Sequence, residues 1–172
     1  MDIQALSKKF GINAERRTDG GFPVFEKNIV GRRVLIVCDE TTRVFAQPVA
    51  DMVGANAAEC GMLVLPSPEP VADEATVQRV AEGGGGYDYL LAVGAGTLND
   101  LCKYAGFLTH KPSGIFATAP SMDGFSSSVT PLIEKGFKIT RPAQTASDVL
   151  MDFEILSKAP RIMIGAGVGD IL

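Results

Sequence analysis

The sequence predicts an α/β fold, a Rossmann-like open parallel sheet with flanking helices, followed towards the carboxyl end by a β-hairpin. Three observations predict it. Short continuous apolar runs at Arg33–Cys38 (RVLIVC), Gly61–Leu65 and Tyr89–Val93 (YLLAV) have the length and residue types of strands covered on both faces. Stretches of helical periodicity separate these runs, and such alternation favours parallel strands joined by helical crossovers. Polar or glycine-rich turns follow the runs, on the edge where an open α/β sheet places its ligands.

The elements follow in order. A polar, glycine-containing lead-in precedes Arg33–Cys38. From Thr41 to Glu59, apolar residues at Val44, Phe45, Val49, Met52 and Val53 recur close to helical spacing, with Pro48 as a kink or a first-turn residue. Gly61–Leu65 is a second strand, PSPEP is a loop, and Asp73–Glu82 reads as a helix with acidic residues in its first turn. The four glycines Gly83–Gly86 form a turn before the third strand, Tyr89–Val93. A helix from Thr97 to about Leu108 and a fourth strand at Gly114–Ala117 complete the alternation. From Ser126 the texture changes: Ser127–Ile133 and Phe137–Thr140 flank Glu134-Lys135-Gly136, a hairpin pattern with a glycine turn. A strand-like run, Val149–Asp152, then precedes Glu154–Ala159 and the closing segment RIMIGAGVGDIL. No internal repeat and no domain linker is visible.

Composition bounds the function. With 172 residues, 46% of them hydrophobic, the chain can bury one full core, as one domain or as one domain with the start of a second. A net charge of -4 gives no basic face for nucleic acid, so any bound anion must be held locally. No stretch approaches the roughly 18 apolar residues of a membrane span, and the start MDIQALSKKF lacks the apolar core of a signal peptide, so a cytoplasmic protein is expected. Cys38, Cys60 and Cys102 have no CxxC spacing and read as structural thiols.

Three segments carry the chemistry. Gly94-Ala95-Gly96-Thr97-Leu98-Asn99-Asp100 follows the third strand and opens a helix, a turn where a phosphate can approach backbone amides and the helix amino terminus. The same residues also read as an ordinary strand-to-helix turn with Thr97 and Asp100 as a cap. The turn is neither a dinucleotide fingerprint, because Asn99 replaces the third glycine, nor a P-loop. Thr118-Ala119-Pro120-Ser121-Met122-Asp123-Gly124-Phe125-Ser126-Ser127-Ser128 follows the fourth strand, so both loops should face one crevice; this composition also suits any surface loop. Gly165-Ala166-Gly167-Val168-Gly169-Asp170 reads as a glycine-rich turn ending in a carboxylate able to ligate a divalent metal. His110, the single histidine, ends a predicted helix and fits a cap better than a metal ligand.

On the blocks GAGTLNDLCKY, TAPSMDGFSSS, and AP followed by GAGVGD, the chain from about Val34 to Leu172 resembles the sn-glycerol-1-phosphate dehydrogenase family. That family belongs to the superfamily of glycerol dehydrogenase, iron-containing alcohol dehydrogenases and dehydroquinate synthase. The resemblance implies a nucleotide-binding domain over residues 1–172, with 126–172 as the hairpin and the start of the metal-site segment. It further implies a helical metal-binding domain, missing from this chain. It implies that Gly94, Ala95, Gly96, Thr97 and Leu98 wrap the pyrophosphate of NAD(H) or NADP(H). Thr118, Ala119, Pro120, Ser121 and Ser127 would continue that pocket. Asp39 matches the position facing the adenosine ribose, where a carboxylate favours NAD over NADP. Asp123 would hydrogen-bond the substrate, and Asp170 would be the first ligand of zinc or a similar divalent metal and also touch the substrate. The implied reaction is hydride transfer between dihydroxyacetone phosphate and glycerol 1-phosphate by a homo-oligomer when full length. Glycerol dehydrogenase or another iron- or zinc-type alcohol dehydrogenase is the near alternative, and a non-catalytic nucleotide-binding or assembly module is one of another class. A receiver-type signalling domain is disfavoured, because the third strand ends in Gly94 and not in a phosphoacceptor Asp.

Overall fold

The computed structural model describes residues 11–19, 21–66 and 69–172. A six-stranded sheet forms its centre, built from β1 (Asn13–Arg16), β2 (Arg33–Asp39), β3 (Glu59–Leu65), β4 (Tyr89–Gly94), β5 (Ser113–Ala117) and β8 (Asp148–Met151). The order across the sheet is β1-β8-β5-β4-β2-β3, and every pair is parallel. β6 (Val129–Glu134) and β7 (Phe137–Pro142) form the separate antiparallel hairpin, whose turn places Lys135 and Gly136 at φ 50° and 83°. That pair of positive angles suits a two-residue hairpin turn.

Alternation along the strands feeds two cores. Leu35, Val37, Leu90, Ala92 and Ile115 point to one face, where α3 (Glu74–Gly83) and α4 (Gly96–Thr109) cover them with Val77, Val80, Leu98, Leu101 and Ala105. Val34, Ile36, Leu91, Val93 and Phe116 point to the other, under α1 (Pro23–Asn28) and α2 (Arg43–Asn56) with Phe25, Ala46, Val49 and Val53. Each of the valine, leucine, isoleucine and phenylalanine side chains contributes about 1.5–3 kcal/mol when removed from water, which is why the apolar runs are strands covered on both faces. The hairpin and the strand runs thus stand as expected, and Pro48 lies inside α2. No described helix is long and apolar enough to cross a membrane.

Three features depart from the sequence reading. The lead-in contains β1 and α1, which are too short to show a hydrophobic period: Phe22, Phe25 and Ile29 seat α1 in the core, and polar groups tie it to β1 and β1 to the sheet. Asn13 donates to Asp148 at 2.8 Å, Tyr89 donates to the same carboxylate at 2.6 Å, and Glu15 accepts the α1 amides of Val24 and Phe25 at 2.9 and 3.0 Å. Thr97 and Asp100 do not cap α4: its cap residue is Ala95, and no side chain bonds there. Finally, Gly165–Asp170 is not a turn. After the short helix α5 (Phe153–Leu156), a continuous helix α6 (Arg161–Ile171) runs through all three glycines. Its packing outweighs their poor helix propensity, because Gly167 sits so tightly on the Pro120 carbonyl that no side chain fits.

Candidate functional site

The sheet order reverses between β2 and β4, and in an open α/β sheet the crevice at such a reversal is the binding position. A cavity of about 560 Å³ lies there. Carboxyl ends of the strands supply its walls: Arg17 after β1, Asp39 of β2, Ala95 after β4, Thr118 and Ala119 after β5, and Asp152 after β8. Thr97 and Leu98 of α4, Phe45 of α2, Lys158 and Met163 are among the residues that add to them. The two loops singled out in the sequence therefore do face one crevice, and they are tied together where the Thr118 amide donates to the Gly94 carbonyl at 2.9 Å.

Of the cofactor-pocket candidates, Asp39, Ala95, Thr97, Leu98, Thr118 and Ala119 line this cavity. Gly94 ends β4 directly behind it, and Gly96 opens α4. Their missing side chains are already used by internal packing: a Cβ on Gly94 would collide with Leu98, and one on Gly96 would lie 2.8 Å from Met122 Sδ. The amino terminus of α4 has no side-chain cap, so its first-turn amides and dipole are available to an anion entering beside Ala95. This arrangement fits a dinucleotide pyrophosphate. Asp39 Oδ1 accepts from the Thr42 amide and hydroxyl at 2.7 and 2.9 Å, holding the strand end in a turn.

Pro120, Ser121, Asp123, Ser127 and Asp170 lie outside that cavity wall, and α6, which carries Asp170, packs on the stretch from Pro120 to Asp123. Gly167 presses on the Pro120 carbonyl, and three residues later the Asp170 carboxylate accepts the Asp123 backbone N–H at 2.9 Å. Both residues are exposed, and the contact joins the Asp170 carboxylate to the Asp123 backbone, not to its side chain. Ser127 is committed within its own loop. Its hydroxyl accepts from the Lys103 ammonium at 3.0 Å and has one proton to give to the Gly124 or the Val129 carbonyl, at 3.1 and 2.8 Å. Among the described residues no group of three or more His, Cys, Asp or Glu could hold a metal. Asp170 alone does not make a metal site, and His110 caps α4 in the left-handed conformation at φ 54°.

Electrostatics divide the site from its surroundings. At the cavity, burial pushes the Asp152 carboxyl up, but Arg17 at 2.8 Å and the amides of Glu154 and Ile155 outweigh it and hold the group below its ordinary range. Behind the loop, burial raises Asp100 to about 6, with the Lys103 ammonium pulling partly back. Burial lowers Lys103 against the opposing pull of Asp100. Burial also raises all three thiols, Cys38 to about 11, which disfavours the reactive thiolate form. Asn99 is buried, and its carboxamide bonds to nothing among the described residues. Arg17, Asp152, Lys158 and Met163 were missed in the sequence. Only Asp152 carried a signal, a carboxylate ending an apolar run just as Asp39 does.

The profile of the family described as iron-containing alcohol dehydrogenase matches residues 21–160. A glycerol-1-phosphate dehydrogenase of Bacillus velezensis is 36% identical over 143 residues, 80% of this chain and 36% of the relative. One of Halalkalibacterium halodurans is 38% identical over 144 residues, 81% of this chain and 36% of the relative. The chain therefore spans a little over a third of the length of these relatives. Among solved structures, glycerol dehydrogenase from Schizosaccharomyces pombe superposes with a TM-score of 0.74 at 19% identity, covering 92% of this chain and 41% of that one. A 2-deoxy-scyllo-inosose synthase complexed with carbaglucose-6-phosphate, NAD+ and Co2+ gives 0.75 at 18% identity, with coverage of 91% and 46%. At those identities the likeness is one of fold.

Proposed function

The chain belongs to the iron-containing alcohol dehydrogenase family, and from that premise we propose that it is the NAD(P)-binding part of an sn-glycerol-1-phosphate dehydrogenase. One observation carries the reading: Asp39, the uncapped start of α4 and the Thr118–Ala119 turn converge on one cavity at the sheet reversal. The curated relatives named above favour the phosphorylated polyol, since both are called glycerol-1-phosphate dehydrogenases dependent on NAD(P)+.

The division of labour follows from chemistry. Amides of the first α4 turn would hold the pyrophosphate from Gly94 to Leu98, with the Thr118–Ser121 turn closing over it. Asp39 would accept hydrogen bonds from the ribose hydroxyls. A bound nicotinamide supplies or takes the hydride. Asp123, exposed and with its backbone N–H on Asp170, would orient a substrate hydroxyl. Asp170 would give a first ligand to zinc or a similar divalent ion. The described residues do not complete such a site, which needs about three protein ligands.

The test compares this chain with a version extended by the helical domain that the resemblance implies. NADH oxidation with dihydroxyacetone phosphate should be undetectable for the 172-residue chain and present for the extended one. In the extended protein, Asp170→Asn should abolish metal retention and turnover, whereas Asp123→Asn should retain metal and depress turnover. Steady turnover by the short chain would sink the assignment, because it would need ligands that the described residues do not bring together.

A further inference from the structure

We propose that Lys103 is a positioning residue of the site: its buried ammonium fixes, from beneath, the loop that carries Asp123 and Ser127. The proposal deepens the dehydrogenase reading and rests on it for the roles of those two residues. Lys103 is fully buried in the middle of α4. An ammonium has three N–H donors, and here three acceptors of one loop take them: the Gly124 carbonyl at 3.2 Å, Ser127 Oγ at 3.0 Å and the Val129 carbonyl at 2.9 Å. The nearest carboxylate, Asp100, stands 4.0 Å away on the preceding turn of the same helix, close enough to balance the charge without taking a donor from the loop.

The position of these acceptors gives the anchor its purpose. Gly96 and Lys103 are seven residues apart and share one face of α4. Met122 seats its sulfur over the bare Gly96, and Lys103 grips the chain from Gly124 onward. Asp123 is therefore held between two fixed points, with its N–H delivered to Asp170 Oδ2. A neutral strut could join a helix to a loop at less cost than a desolvated ammonium. Charge-assisted bonds to three successive acceptors instead give the loop one arrangement. Without the ammonium, the Gly124 and Val129 carbonyls lose a buried donor, Ser127 is free to turn, and Asp123 can leave Asp170.

The experiment uses the 172-residue chain with Lys103→Met, Lys103→Gln and Lys103→Arg, and with Lys111→Met as control. Lys111 likewise holds backbone carbonyls, those of Gly84 and Gly85, but away from the site. Amide NMR and hydrogen exchange report on residues 122–130, and NADH titration reports on the pocket. In Lys103→Met, the Asp123 amide should lose its Asp170-bonded shift, exchange over 123–129 should quicken by roughly tenfold or more, and NADH affinity should fall. Amides of β4 and β5 should stay protected. Lys103→Arg, which keeps the charge and donors, should restore part of each effect, whereas Lys111→Met should reproduce none. Unchanged loop amides in Lys103→Met, or the same losses in Lys111→Met, would overturn the proposal. Should Lys103→Met not fold, Lys103→Arg decides, since its longer fork must still shift the loop amides. If the unaltered chain binds no NADH, the cofactor reading fails while the loop amides still decide the role of Lys103.

Discussion

Asp39 ends β2 in a turn that it makes itself, with Oδ1 bonded to the Thr42 amide and hydroxyl. Removing the side chain would thus disturb the turn as well as the charge. Asp39→Asn keeps an acceptor and removes the charge. In a full-length protein it should move the NADPH-to-NADH affinity ratio up by about 1 kcal/mol, roughly fivefold, through loss of repulsion towards a 2′-phosphate. An unchanged ratio would leave Asp39 a turn residue only. Asp100 makes a different prediction. Burial holds its carboxyl at about 6 against an ordinary value of 3.8, so the folded state keeps a proton that the unfolded chain has already lost. Its contribution is then fully present below 3.8 and disappears as pH rises through 6. Urea unfolding of the unaltered chain should therefore show a loss from this group of about 1–1.5 kcal/mol between roughly pH 5 and 7.5. Asp100→Asn should remove that loss, and parallel pH curves for the two proteins would contradict the burial argument. At this scale the site was partly legible: Asp39 stands out as a carboxylate closing an apolar run, whereas Arg17 and Lys158 reach the cavity only through the fold.

Legibility of the elements followed how each is held. β2, β4 and β5 are held by apolar burial on both faces, so runs such as RVLIVC announce them. β1, with the sequence NAER, is held by a hydrogen bond that Asn13 donates to Asp148 and one that Glu15 accepts from the Phe25 amide, neither of which periodicity encodes. α6 was misread because its three glycines argue locally for a turn; the reason for one of them is a contact 47 residues back in the chain, with Pro120. The glycines of α6 accordingly predict opposite outcomes. Gly167→Ala should destabilise by about 1–3 kcal/mol, as overpacking does, and should detach Asp170 from the Asp123 amide. A Cβ on Gly165 or Gly169 meets nothing nearby, and Ala at either should stabilise the helix by up to about 1 kcal/mol. Thermal unfolding of the three variants checks the pattern. Equal effects at all three positions would mean that α6 does not seat on Pro120.

Across the whole molecule, parallel topology places the carboxyl ends of β2, β4, β5 and β8 on one edge, and sequence-distant residues form one wall there. That the two loops meet was legible, because alternation of strand and helix fixes strand direction. That Asp152 joins them was not, because β8 returns from beyond the hairpin to lie beside β5. The proposed function requires this wall to hold a dinucleotide with its pyrophosphate at the start of α4. A simple Gly96 variant would confound that claim with the crowding of Met122, so the pair must be changed together. The most direct measurement is calorimetric titration of NADH into the chain and into Met122→Ala, Gly96→Val and the double variant. Saturable binding that survives Met122→Ala but is lost in Gly96→Val and remains lost in the double variant is the predicted result. No saturable binding by the unaltered chain, or binding by the double variant as tight as by Met122→Ala, would contradict it.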